Sequence, residues 1–199
     1  MIRLWKSILF ALFVISNIFT LIFGARPFTI DFDVLDYDIN PEFVNFIDFK
    51  LIPYKGHQAV NGTIIFRRDV VGMRLVHWVT STKSDGRLWN IYNITVNGCD
   101  ILANKYSKLN VIMEAVVQRI KQAIPAIPKK CPLKKEKKYS LLNFFLDEEM
   151  MPVYVPNIKI QTAFNVLSRM DFVLKLRLTA HVESKIGKRN GEQTNKKSI

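Results

Sequence analysis

Two cysteines, Cys99 and Cys131, are the only thiols in this 199-residue chain, and what they do depends on the compartment that the rest of the sequence specifies. In an oxidising compartment two cysteines with no third pair by default; in a reducing one they stay buried free thiols. A bond between them closes a loop long enough for the unfolded-chain model to assign it roughly 3.5 to 4 kcal/mol. The other reactive residues offer less. His57 lies near a predicted turn, His77 inside a predicted strand and His181 on the wet face of the last strand, and none has a metal-ligand partner at usable spacing. Asp147, Glu148 and Glu149 are consecutive, which reads as a solvated run rather than a catalytic pair. No Gly-x-Ser-x-Gly elbow, phosphate loop or dinucleotide fingerprint occurs. The chain is therefore expected to have no catalytic residues, to hold no metal and to need no cofactor.

The compartment is read from the N-terminus. Arg3 and Lys6 precede an almost wholly apolar stretch from Ile8 to Phe23, and Gly24-Ala25 offers small residues for cleavage. This is the pattern of a signal peptide over residues 1–25, the alternative being an uncleaved signal anchor, for which the stretch is short. A secreted, extracellular protein follows, and pairing of the cysteines with it. Two acceptor tripeptides, Asn61-Gly62-Thr63 and Asn93-Ile94-Thr95, agree with export and make Asn61 and Asn93 candidate glycosylation sites. Asn61-Gly62 reads as a tight hairpin turn. Asn93 sits in a strand-like run, so an outward Asn93 places Trp89, Ile91 and Thr95 outside and Leu88, Tyr92, Ile94 and Val96 inside.

Loss of the leader leaves 27 Lys and Arg against 17 Asp and Glu on about 174 residues, enough for one domain with its own core. The charge is segregated. Residues 26–50 hold six acids (Asp31, Asp33, Asp36, Asp38, Glu42 and Asp48), whereas between residues 129 and 138 Lys129, Lys130, Lys134, Lys135, Lys137 and Lys138 stand against a single acid, Glu136. On a secreted protein such a rim fits a receptor or an anionic membrane surface, or simply a solvated loop. No nucleic-acid-binding motif accompanies it.

Period-two alternation organises most of the chain. Phe43 to Tyr54, Val60 to Arg68, Met73 to Thr82 and Arg87 to Val96 read as a meander of strands separated by Lys55-Gly56, Val71-Gly72 and Ser84-Asp85-Gly86. The last block is cleanest: Phe172, Leu174, Leu176, Leu178, Ala180 and Val182 share one face and Lys175, Arg177, Thr179 and His181 the other. Val153 to Thr162 reads as a further strand that Pro156 confines to an edge or a bulge. Between these blocks, Leu109, Ile112, Met113, Val116, Val117, Ile120 and Ile124 recur at helical spacing, with Ser107 as N-cap and Pro125 as stop. The architecture is a mainly β, antiparallel, immunoglobulin-like sandwich with one amphipathic helix inserted between strands. Residues 26–42 are a lead-in, 43–183 the sandwich, and 184–199 a polar, basic, disordered tail.

The run Leu88 to Leu102 through Cys99, the helix, Ile127-Pro128-Lys129-Lys130-Cys131-Pro132, the Tyr139, Asn143 and Phe144 element and Pro152 to Pro156 together resemble a large insect family of secreted proteins of unknown function that includes the CheB chemosensory proteins. The resemblance covers roughly residues 40 to 183. It implies an ML-like sandwich, distantly similar to the ML lipid-recognition superfamily with which the ganglioside activator protein is compared. Many members carry further cysteines in the N-terminal strands; Phe43 to Leu51 has none, so packing alone holds that strand.

Resemblance and aromatic content (14 Phe, 6 Tyr, 3 Trp) together point to a carrier of a lipid-like or other hydrophobic small molecule. Its expected pocket lies between the sheets, lined by Tyr92, Phe144, Phe145, Phe164, Phe172 and Leu174. The alternatives are a packed core of phenylalanines, and an interaction module that works through the lysine rim.

Overall fold

Apolar residues at every second position give the described residues eight strands, and the two faces they create decide where the core forms. The computed structural model describes residues 26–82, 87–106, 111–152 and 155–185. The expected leader, the Ser84-Asp85-Gly86 turn, the Ser107 cap with Leu109, and the tail from residue 186 lie outside these. The strands are β1 (Phe28–Ile39), β2 (Val44–Tyr54), β3 (His57–Phe66), β4 (Met73–Thr82), β5 (Leu88–Asn97), β6 (Lys138–Phe144), β7 (Ile158–Ser168) and β8 (Asp171–Ser184). Two helices, α1 (Gly98–Leu102) and α2 (Val111–Ala123), separate β5 from β6. One antiparallel sheet has the order β1-β8-β7-β4-β5 and the other β2-β3-β6. The chain is a mainly β sandwich, as the alternation predicts.

Several elements differ from the sequence expectation, each for an identifiable reason. The lead-in at 26–42 is β1, paired along its length with β8. Its phenylalanines point inward, with Phe28, Ile30 and Phe32 buried, while its acids face the basic face of β8. Arg177 Nη1 lies 2.6 Å from Asp38 Oδ2 and Arg177 Nε 3.0 Å from Asp36 Oδ2, and the hydrogen bond from Arg177 holds the Asp38 carboxyl below its ordinary value. The four early strands are not one meander, because the chain crosses between sheets after β3. Asn61-Gly62 is not a turn. Lys55 and Gly56, both at positive φ, form the two-residue hairpin that sets Tyr54 opposite His57, which leaves Asn61-Gly62 inside the central strand of the small sheet. There Gly62 is required for packing: a Cβ would collide with the Phe49 ring opposite it across β2.

β7 is not an edge strand. Pro156 stands just ahead of it, so its full N–H row is free to pair, and it lies between β8 and β4. β8 carries a bulge at Val173, where the register with β7 slips between Val166 and Leu167. The bulge turns Val173 fully inward and leaves Phe172 37% exposed, so the alternation holds only from Leu174 onward. A second, short helix also forms. Cys99 does not close β5 but lies within α1, whose N-cap Asn97 accepts from the Cys99 and Asp100 N–H groups.

The longer helix, α2, buries Met113, Ala115, Val116 and Val117. It packs Ala115 and Ala123 into the cluster around Phe28, Phe32, Val60, Phe144 and Ala180. Cys99 and Cys131 form a disulfide beside a second cluster built on Phe43, Val44, Phe66, Val70 and Tyr139. Among the described residues, no helix is long and apolar enough to cross a membrane.

Candidate functional site

The inner faces of β1, β4, β7 and β8 make an apolar floor that α2 and the crossing from β6 to β7 cover incompletely. A cavity of about 260 Å³ remains, a little below the ~300 Å³ lower end of small-molecule sites. Its floor is Ile30 and Phe32 of β1, His77 and Val79 of β4, Ile160, Thr162 and Phe164 of β7, and Leu178, Ala180 and Val182 of β8. Ile112 and Val116 of α2, Phe144, and Leu146, Met151, Pro152, Val155 and Pro156 of the crossing form the roof. The prolines suit this position, since a segment leaving one sheet for the other offers no ladder for their missing N–H. Phe164 also lines a second apolar cavity of about 180 Å³ on its other side, together with Met113, Val117 and Tyr139.

The side wall is closed by β5 through a register irregularity. Val79 pairs with Tyr92 but Thr80 with Asn90, which leaves Ile91 as an extra residue, so that Ile91 and Tyr92 both line the cavity. The inward set Tyr92, Ile94 and Val96 stands as the alternation predicts, with Ile94 and Val96 against Met113 and Val117. Beyond the irregularity the phase reverses. Leu88 is therefore exposed and Ile91 turned toward the cavity, opposite to expectation.

One chain of polar groups interrupts the apolar lining. His77 is 2% exposed and its ring stacks on Phe164 with centroids 3.9 Å apart. His77 Nε2 lies 2.7 Å from Thr162 Oγ1, Thr162 Oγ1 donates to the Trp78 carbonyl at 3.2 Å, and the Tyr92 hydroxyl lies 3.0 Å from His77 Nδ1. Burial pushes His77 down from 6.5 to about 4 and raises the Tyr92 hydroxyl above its ordinary range. Both groups are thus neutral at physiological pH.

Of the six pocket residues expected from sequence, Tyr92, Phe144 and Phe164 line this cavity, and three lie elsewhere. Phe145 follows Phe144 and takes the opposite side, where its ring stacks on His57 and the Arg119 guanidinium sits 4.1 Å from its centroid. Phe172 is turned outward by the bulge at Val173. Leu174 packs against the cluster around Val173 and Phe43 instead. Sequence reasoning passed over His77 and Thr162 as site residues. The alternation through Val79 does place His77 on the inner face, which is the signal that finds it.

The remaining candidates are distributed over the surface. Asn93 is exposed on the edge strand β5, whereas Asn61 is half-buried and its Oδ1 accepts the Asn143 N–H. Lys129 and Lys130 are exposed ahead of Cys131. Lys134 Nζ is 2.9 Å from Asp69, whose carboxyl is held below its ordinary value first by the Lys135 N–H and then by Lys134. Lys137 lies over the Tyr139 ring, and Lys138 opens β6 opposite Ile65. The acids 147–149 are not a solvated run. Asp147 caps a 3-10 turn at Glu148–Met150, Glu149 accepts the Arg26 N–H, and buried Glu148 accepts the Ile30 N–H at 3.2 Å while standing 3.8 Å from His57. His57 also lies 3.6 Å from Asp31, and His181 2.6 Å from Asp33. Among the described residues, no group of three or more His, Cys, Asp or Glu is arranged to hold a metal ion.

Residues 73–161 match a family described as a protein of unknown function, DUF1091. The matched segment runs from the start of β4 into β7 and contains His77, Tyr92, both cysteines and α2. No curated protein matches the chain.

Proposed function

We propose that this chain is a secreted, non-enzymatic carrier or presenter of a lipid-like or other hydrophobic small molecule, held in the cavity under α2. The single observation that carries the reading is the cavity itself. A sandwich that packs Val173, Val60 and Ala163 to zero exposure nevertheless leaves about 260 Å³ open among apolar side chains. Protein interiors ordinarily pack without gaps of that size, and a partly enclosed apolar recess is the usual form of a small-molecule site. The sequence resemblance to the insect family that includes the CheB proteins, and through it to the ML lipid-recognition superfamily, supports the same reading and adds a chemosensory context.

Native mass spectrometry of the chain recovered from a eukaryotic secretory host tests this. The expected spectrum shows loss of the leader, the disulfide mass shift and a bound apolar molecule that organic extraction removes. A chain that carries no added mass, and takes up none of a panel of alkanes, alcohols and esters after extraction, contradicts the proposal.

A further inference from the structure

We propose that Asn93 carries an N-linked glycan whose first sugar packs on the indole of Trp78, so that the chain's own carbohydrate covers part of the outer face of the large sheet. This goes beyond the carrier reading and rests on its secreted compartment. The strand register carries it. Asn93 stands directly opposite Trp78, Trp78 opposite Ala163, Ala163 opposite Arg177, and Arg177 opposite Asp36. The five residues form one row across all five strands of the sheet. That row lies on the outer face, because the adjoining Tyr92, His77, Val79, Phe164 and Leu178 line the cavity on the inner one.

Opposed side chains of an antiparallel pair have Cβ atoms about 5 Å apart, so a sugar attached to Asn93 Nδ2 begins within reach of the Trp78 ring. Asn93 is exposed at the sheet edge and Trp78 half-buried. An aromatic ring offers a large, rigid apolar face, against which the axial C–H groups of a pyranose lie flat. Beyond Trp78 the row drops to Ala163, which has no exposure. A groove of about 200 Å³ opens there between Trp78, Gln161, Thr179 and Arg177, with Val34 and Asp36 on its far side. Neighbouring strands are about 4.8 Å apart, a step of the same order as one sugar unit, so the second sugar reaches this groove and its polar groups. Asp36 and Asp38 hold the Arg177 wall in place. Asn61, the other acceptor, faces a different neighbour: it stands in the central strand of the small sheet opposite Lys50, half-buried, with its Oδ1 accepting the Asn143 N–H.

Glycopeptide mapping and thermal unfolding of the full chain from a eukaryotic secretory host test the proposal. Mapping is expected to find Asn93 occupied. Asn93→Gln, which removes the acceptor and keeps an amide, is expected to lower the melting temperature by about 2 to 4 °C in the wild-type background and by under about 1 °C in a Trp78→Leu background. Trimming the wild-type glycan to its first N-acetylglucosamine with an endoglycosidase is expected to cost under about 1 °C, because that sugar makes the contact. Trimming that costs as much as Asn93→Gln overturns the proposal, whether or not the Trp78 variant folds. So does an equal effect of Asn93→Gln in both backgrounds, no effect included. A secreted chain with bare Asn93 overturns it and leaves the carrier reading standing, whereas a chain retained in the cell without glycan and with its leader attached overturns the secreted reading as well.

Discussion

Replacing Cys99 and Cys131 with alanine lowers the stability of the folded chain by about 3.5 to 4 kcal/mol. The two residues are 32 apart in sequence, and a loop of that length left open in the unfolded chain accounts for the figure through chain entropy alone. In the native state the bond joins the two sheets at one end. Cys99 lies in α1, directly after β5 of the large sheet, and its Sγ lies 3.3 Å from the Met73 N–H at the start of β4. Cys131 precedes Leu133, which exchanges backbone hydrogen bonds with Val70 at 2.9 and 3.1 Å before the chain enters β6 of the small sheet. The bond therefore bounds the excursion that contains α2, the roof of the cavity. Urea unfolding of the double variant measures the loss, and a drop of under about 1 kcal/mol shows that packing alone holds the excursion in place.

Acidification from pH 7 to pH 4 removes up to about 3 kcal/mol of stability through His77 alone. The unfolded chain binds a proton at the ordinary histidine value near 6.5, while burial delays protonation in the native state to about 4. Between those values the unfolded state holds more protons, so stability falls as pH is lowered through the window. It is unaffected by this group above about 6.5, and the loss is complete below about 4. The physical cause is burial: the ring is 2% exposed inside an apolar wall, and protonating it places a charge beside Phe164 out of reach of water. Carboxylates on the surface add their own pH dependence. The diagnostic quantity is thus the difference between wild type and His77→Gln in urea midpoints from pH 7.5 to 4.0. The wild-type chain is expected to fall more steeply, and parallel curves contradict the assignment.

The fold was largely legible because alternation is a strong signal wherever one face is wet. β8 is the clearest instance: its Lys175, Arg177 and His181 lie opposite leucines that cannot both be buried and share a face with them. The same signal ran through β1, where Phe28, Ile30 and Phe32 alternate with Thr29, Asp31 and Asp33. The density of acids hid it until β8 supplied the cations that pair with them. Asn61-Gly62 misled because the dipeptide has the composition of a turn, whereas the register is set by Lys55-Gly56 six residues earlier. The cavity was half legible. Tyr92, Phe144 and Phe164 follow from aromatic content on inward positions, but Phe172 and Ile91 changed sides at register irregularities, which depend on the partner strand and leave no mark in the local sequence. His77 was passed over because a lone histidine in a strand carries no partner pattern; Thr162, its nearest partner, is 85 residues away.

Ala180 offers the most direct test of whether an apolar ligand occupies the cavity under α2. It is buried on the floor of that cavity, and phenylalanine there fills the space that a ligand needs. The measurement is the melting temperature of wild-type and Ala180→Phe chains, each with and without N-phenyl-1-naphthylamine at about 100 times its dissociation constant. For the wild-type chain, binding to the native state alone contributes about 2.7 kcal/mol, or a rise of about 5 to 10 °C for a domain of this size, and the filled chain shows none. Equal rises in both chains, or no rise in the wild type, contradict the account.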